Sequence, residues 1–353
     1  MNLAVADPAP GRVRTPGVVP DLLREYGSAT SAVVSRYLSS ESPSPYLDPL
    51  IATYPLRPGK MMRSGICIAT ACAFGARPQD AVGCAAAIEL FHNALLVHDD
   101  IEDESEERRG RPTLHVEHGI PLAINAGDAL MLLALEALVD GLRALDSEAA
   151  REAFARTQHM ARQTAEGQAL ELGWRLENRP DITEADYLEM VLKKTAWMST
   201  IWPSQMGVLI GARGAYEPAN VVRFGFFLGA AFQIQDDLLN LVADPRYGKE
   251  QYGDLYEGKR TLMLIHARRT CGSADRAMLD EFLGLKRQDR TPAMVETIAG
   301  LMRRQGSVDH ARTVAAGLAG AAAHEYELAY GRLPPSRDRA FLEGLVAWLF
   351  ERT

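Results

Sequence analysis

Apolar residues along this chain recur every three to four positions over long stretches, the period of a helix with one buried face. The first such stretch runs from Asp21 to about Ser39. A turn at Leu56-Arg57-Pro58-Gly59 opens a second, from Lys60 to about Gly75. Pro78 suits the first turn of a long helix, almost wholly apolar from Ala85 to Val97, and Arg109-Gly110-Arg111-Pro112 ends it. The pattern resumes over about 122–145 and 148–175, breaks at Asn178-Arg179-Pro180-Asp181, and restarts where Thr183 and Asp186 resemble a capping box. Further helices are expected over about 220–242 and from Thr261 onward, with breaks at Gly272-Ser273, near Gly306 and at Pro334-Pro335. Asp244 to Glu257 reads as a polar loop, and residues 1–18 as a disordered lead. Strand-type alternation is absent and no linker divides the chain. The expectation is an all-α, single-domain bundle of about a dozen helices over residues 19–353.

Composition narrows the function without choosing it. The chain has 353 residues and a net charge of -8, which argues against a nucleic-acid partner. No uncharged apolar run reaches the roughly 18 residues that crossing a bilayer requires. Cys67, Cys72, Cys84 and Cys271 form no CxxC pair and sit in apolar settings, as free thiols do in a reducing compartment. A soluble, cytoplasmic protein is expected.

The charge is concentrated. Seven acidic residues lie between Asp99 and Glu107, directly after the apolar helix. Asp99 and Asp103, one turn apart, share a helix face, where like charges repel unless a cation sits between them. A second pair, Asp236-Asp237, ends another apolar helix and is followed one turn later by Asn240. A single pair at a helix end is usually a solvated terminus; two, each closing an apolar helix, suggest an oxygen-lined box for Mg²⁺ and a phosphate ligand. Cations cluster nearby: Lys60 and Arg63 at a helix start, Arg108, Arg109, Lys194, Lys249, Lys259 and Arg260.

These segments, GKMMR (59–63), LFHNALLVHDDIEDESEERRGRPT (90–113), GQALEL (167–172), KT (194–195), FQIQDDLLN (232–240) and GKEQYGDLYEGKRT (248–261), together resemble the all-trans isoprenyl diphosphate synthases of the polyprenyl synthetase family, most closely the geranylgeranyl diphosphate synthases. The resemblance runs from about residue 20 to the C-terminus. It implies the isoprenoid synthase fold, a homodimer, and condensation of an allylic diphosphate (dimethylallyl, geranyl or farnesyl) with isopentenyl diphosphate. It further implies that Asp99, Asp103 and Asp236 bind Mg²⁺, three ions per site with Mn²⁺ able to substitute, beside Asp100, Asp237 and Asn240. Arg108, Lys194, Thr195, Gln233, Lys249 and Lys259 would hold the allylic diphosphate. Lys60, Arg63, His92 and Arg109 would hold isopentenyl diphosphate. The departing diphosphate would take the proton lost in the condensation.

Asn240 departs from the third aspartate common in the family, keeping an oxygen but losing a charge. Product length is expected to depend on Phe91, Ala94 and Leu95; the last two lie roughly 6 to 7.5 Å along the helix from Asp99. Small Ala94 leaves that depth open and Phe91 would close it a turn further down, giving a C20 product. A class I terpene cyclase would need no isopentenyl clamp and usually carries an NDxxSxxxE motif, absent here. A non-catalytic subunit of a heteromeric synthase would have lost aspartates or arginines from these motifs.

Overall fold

The computed structural model describes residues 17–39, 42–242 and 251–351. Lys249, most of the expected lead and the first half of the 244–257 loop lie outside those residues. The described chain is all-α, with sixteen α-helical segments. They are α1 (Val18–Tyr37), α2 (Asp48–Thr53), α3 (Met62–Ala73), α4 (Pro78–Glu102), α5 (Leu114–His118), α6 (Ile120–Leu142), α7 (Ser147–Leu176), α8 (Glu184–Val191), α9 (Trp202–Ala212), α10 (Val222–Val242), α11 (Gly253–Glu257), α12 (Leu262–Thr270), α13 (Ser273–Gly284), α14 (Pro292–Arg304), α15 (Ser307–Tyr330) and α16 (Arg337–Glu351).

Helix α4 is the axis of the bundle. Pro78 sits in its first turn and Asp80 accepts from the Arg77 backbone N–H at 3.0 Å, which closes the capping box. Its small side chains let neighbours approach: a Cβ on Gly141 of α6 would lie 2.7 Å from the Cys84 nitrogen. Here α4 and α6 pack nearly backbone to backbone. Helices α1 and α3 cover other faces of α4, and α9 lies on α3. A second apolar cluster joins Tyr187, the C-terminal half of α10 and helices α12 to α14. The acidic ends of α4 and α10 both open into the space beside α7.

Several expected boundaries move, each for a local reason. Met61 adopts φ 51°, a left-handed conformation, so α3 starts at Met62 and Lys60 lies outside it. Lys60 and Arg63 therefore do not share a helix face. The break after α4 is a small antiparallel hairpin, β1 (Glu107–Arg108) and β2 (Arg111–Pro112), turned by Arg109 at φ 55° and Gly110 at φ 71°. Local strand structure thus occurs where none was expected. Part of the expected polar loop is helical, as α11.

The largest local departure is Leu192–Ile201, a π-helical segment joining α8 to α9 without interruption. Its closing bond runs from the Trp202 N–H to the Trp197 carbonyl, five residues back.

By length and composition two helices could cross a membrane, α4 and α6, once a few charges are tolerated within the window. Neither helix holds an uncharged run of that length, since Glu89 interrupts α4 and Asp128 and Glu136 interrupt α6. Helix α4 is two-thirds buried in the core, whereas Ile124, Leu132, Leu135 and Val139 leave an exposed apolar stripe on α6. All four cysteines are free, Cys67, Cys84 and Cys271 being buried.

Candidate active site

The ends of α4 and α10, the inner face of α7, the π segment and residues 259–261 enclose a cavity of about 530 Å³. Asp99 and Asp236 both line it, so the two acidic pairs open onto one space. Arg63, His92, Arg108, Arg109, Lys194, Thr195, Gln233, Asp237 and Lys259 also line it. The apolar part of the wall comes from Leu95, Leu96, Leu172, Met198 and Phe232.

The two pairs are built alike. The first aspartate of each faces the cavity; the second is buried and accepts a tyrosine hydroxyl from another segment, Asp237 still bordering the cavity and Asp100 lying behind its wall. Tyr54, just after α2, donates to Asp100, while Tyr187 on α8 donates to Asp237 at 2.7 Å. Arg108 donates its Nε to both Asp100 oxygens at 2.7 and 2.8 Å and its Nη2 reaches Asp99 at 3.4 Å. Gln233 donates to Asp237 at 2.8 Å and accepts from Thr195 at 2.8 Å. Burial, reinforced by nearby Asp254, pushes the Asp237 carboxyl up to about 8.

Asp99 and Asp103 are both met by cations. Lys194 lies 3.2 Å from Asp99 and also pairs with Glu171. Burial opposes its charge, but Asp99 and Glu171 outweigh that and hold its pKa above the usual lysine value. Asp103 does not line the cavity; its buried carboxylate is held by Arg175 at 2.5 Å and Lys259 at 2.8 Å. Despite the desolvation, Lys259 keeps Asp103 below the usual aspartate range.

On the opposite side Arg63 donates to Ser199 at 2.7 Å. Arg109 donates to the Arg57 carbonyl at 3.0 Å, its positive φ turning the chain back toward residues 54–57. Burial, helped by Arg63 and Arg109, drives the His92 pKa well below the ordinary histidine value, so its ring is neutral. Lys60 is exposed and does not border the cavity.

Asn240 lies outside the main cavity and accepts the Asp254 backbone N–H at 3.2 Å, tying α10 to α11. Of the three expected chain-length positions only Leu95 borders the cavity. Ala94 is fully buried, and Phe91 packs edge-on against Trp202 at 5.8 Å.

Sequence reasoning assigned no role to Tyr54, Tyr187, Gln168, Glu171 or Arg175. Gln168 donates to Asp99 at 3.3 Å and to Glu102 at 2.5 Å. For Glu171 a signal existed: a carboxylate one turn after Gly167 within an otherwise mostly apolar motif. A buried tyrosine looks in sequence like any core aromatic.

A cavity lined by carboxylates and cations, with an apolar wall beyond, suits a diphosphate ester with a hydrocarbon tail. The Polyprenyl synthetase family profile matches residues 45–302, and the chain belongs to that family. It is 37% identical over 84% of its length to a short chain isoprenyl diphosphate synthase of Methanothermobacter thermautotrophicus, covering 88% of that protein. Its fold superimposes on geranylgeranyl pyrophosphate synthetase from Pyrococcus horikoshii with a TM-score of 0.82 and 30% identity, over 95% of this chain and 99% of that one. A polyprenyl synthase from Caulobacter crescentus, complexed with calcium and isoprenyl diphosphate, superimposes with a TM-score of 0.81 and 27% identity, over 93% and 96%.

Proposed function

We propose that this prenyltransferase condenses an allylic diphosphate, 1'-4 and all-trans, with isopentenyl diphosphate and releases geranylgeranyl diphosphate. The observation that carries the reading is the placement of Asp99 and Asp236 on one cavity, with cations beside them and an apolar wall beyond. A geranylgeranyl product agrees with the similarity to the Pyrococcus enzyme.

The donor set suits a divalent ion. Asp99 and Asp236 offer hard carboxylate oxygens, the ligands of Mg²⁺ or Mn²⁺. Among the described residues no three metal-binding side chains converge into a ready cage. That fits an ion held by a few carboxylates together with substrate phosphate oxygens. When bound, Mg²⁺, three ions in this proposal, neutralises charge on the leaving diphosphate. Asp103 joins Asp99 and Asp236 in holding it where the ion competes with Arg175 and Lys259.

Arg108, Lys194, Thr195, Gln233 and Lys259, with Lys249, hold the allylic diphosphate and stabilise the negative charge that grows as its C1–O bond breaks. Arg63, Arg109 and neutral His92 hold isopentenyl diphosphate, whose C4 bonds to the allylic C1, with Lys60 reaching in from beyond the cavity lining. A proton is then lost from C2 to the departed diphosphate. Leu95, Leu96, Met198 and Phe232 keep water from the cation.

The exposed stripe on α6 supports a homodimer, since Leu132 is 68% and Val139 55% exposed. Light scattering should give twice the chain mass, and Leu132→Glu should return the monomer.

Incubation with Mg²⁺, isopentenyl diphosphate and each allylic diphosphate, followed by product analysis, tests the whole reading. Elongation to C20 supports it. A cyclic hydrocarbon formed without isopentenyl diphosphate would identify a cyclase, and an inert protein would mark a non-catalytic subunit.

A further inference from the structure

The π segment has an unusual contact with α7. A Cβ built on Gly167 would fall 2.2 Å from the Lys194 backbone nitrogen and 2.7 Å from its Cα. No flexible side chain lies there to yield; the obstacle is backbone. One turn further along the same face of α7, Glu171 pairs with the Lys194 ammonium, which also reaches Asp99 at 3.2 Å. On the far side α10 also presents glycines: a Cβ on Gly225 would lie 2.8 Å from Ile201, and one on Gly229 2.7 Å from Thr200.

A π turn is wider than an α turn and its residues redistribute around the axis. Lys194, Thr195, Met198 and Ser199 of this segment all line the cavity, as does Met190 at the end of α8. Lys193 instead points outward, to Glu189 at 3.2 Å and Glu166 at 3.6 Å. The wide segment needs room, and the glycines of its neighbours supply it.

We propose that Gly167 and Glu171 form a cradle for Lys194, the glycine seating its backbone and the carboxylate fixing its ammonium, so that the cation is aimed at the diphosphate before substrate arrives. Both are positioning residues acting through Lys194. The inference rests on the reading of Lys194 as a diphosphate ligand. Enforcing a displacement of about 1 Å at this point costs on the order of 10²-fold in turnover.

The test is a double-mutant cycle on the full chain, with Gly167→Ala, Lys194→Ala and both together. It is read by calorimetric binding of inorganic diphosphate with Mg²⁺ and by kcat and KM. Gly173→Ala is the control, because that glycine on the same helix has nothing within 4 Å of its Cβ position. Gly167→Ala should weaken diphosphate binding about tenfold or more and lower kcat, yet add less than about twofold once Lys194 is gone. The KM for isopentenyl diphosphate and the Gly173→Ala control should stay near wild type. Unchanged diphosphate binding in Gly167→Ala, or losses that multiply fully in the double variant, would overturn the proposal. If Gly167→Ala does not fold, Glu171→Gln replaces it in the same cycle, where unchanged binding or fully multiplying losses would again overturn the cradle. A wild type that binds diphosphate but elongates nothing sinks the synthase reading and leaves the cycle a valid test of the cradle.

Discussion

The Tyr187 hydroxyl donates to Asp237 at 2.7 Å, joining the start of one cavity helix to the end of another. Asp237 is 6% exposed and its other oxygen accepts only the Gln233 amide among the bonds described, at 2.8 Å. Tyr187→Phe removes a donor without changing shape and leaves a buried carboxyl group half satisfied. The expected cost is about 1–3 kcal/mol, read from chemical denaturation. Tyr54→Phe should cost less, because Asp100 retains two Nε contacts from Arg108 at 2.7 and 2.8 Å. Equal losses in the two variants would contradict this ordering.

Charge at the cavity wall should govern turnover. Asp99→Asn and Asp236→Asn each remove a hard anionic oxygen from the shared space and should lower kcat by about 10²–10³-fold or more. Steady-state incorporation of labelled isopentenyl diphosphate measures it. Asn240→Asp should change kcat far less, because position 240 faces the Asp254 N–H at 3.2 Å rather than the cavity.

Much of this is legible in the chain, and the reasons differ by element. Helix α4 announces itself because Pro78, Asp80 and a mostly apolar run all favour the same element. The paired aspartates stand out because charge at the end of such a helix is costly without a partner. The π segment does not: its residues still read as helical, and a ten-residue stretch of wider turns leaves no trace in apolar spacing. Nor does the pairing of Asp103 with Arg175, 72 positions apart, since only the approach of α7 to α4 brings them together. Lys60 falls outside α3 because Met61 takes a left-handed conformation that nothing in its side chain foretells.

Product length should respond to the wall itself. Leu95 borders the cavity, so Leu95→Phe narrows the space for the growing tail and should shift product from C20 toward C15. Ala94 is fully buried against the core. Enlarging it to Phe should cost about 1–3 kcal/mol through overpacking, and shortens the product only insofar as the added ring reaches the cavity. Thin-layer or mass analysis of the dephosphorylated prenols, beside thermal denaturation, separates the two effects. A Leu95→Phe enzyme that still makes only C20 would place the floor elsewhere.

His92 gives the ligand-free protein a pH signature. Burial, with Arg63 and Arg109 adding to it, holds its folded pKa well below the ordinary value, whereas the unfolded imidazole titrates near about 6.5. Between those two values the unfolded chain carries a proton that the folded one lacks, so stability rises with pH there and is lost on acidification. One such group contributes a slope of at most about 1.4 kcal/mol per pH unit below about pH 6.5, and nothing well above it. His92→Gln keeps a polar side chain and cannot titrate. Denaturation midpoints for wild type and variant should therefore run parallel at pH 7 to 8 and diverge as pH falls, the variant losing less. Parallel curves down to pH 5 would mean that the buried ring accepts its proton as readily as a free one, and the neutral histidine assigned to the isopentenyl side of the cavity would have to be abandoned.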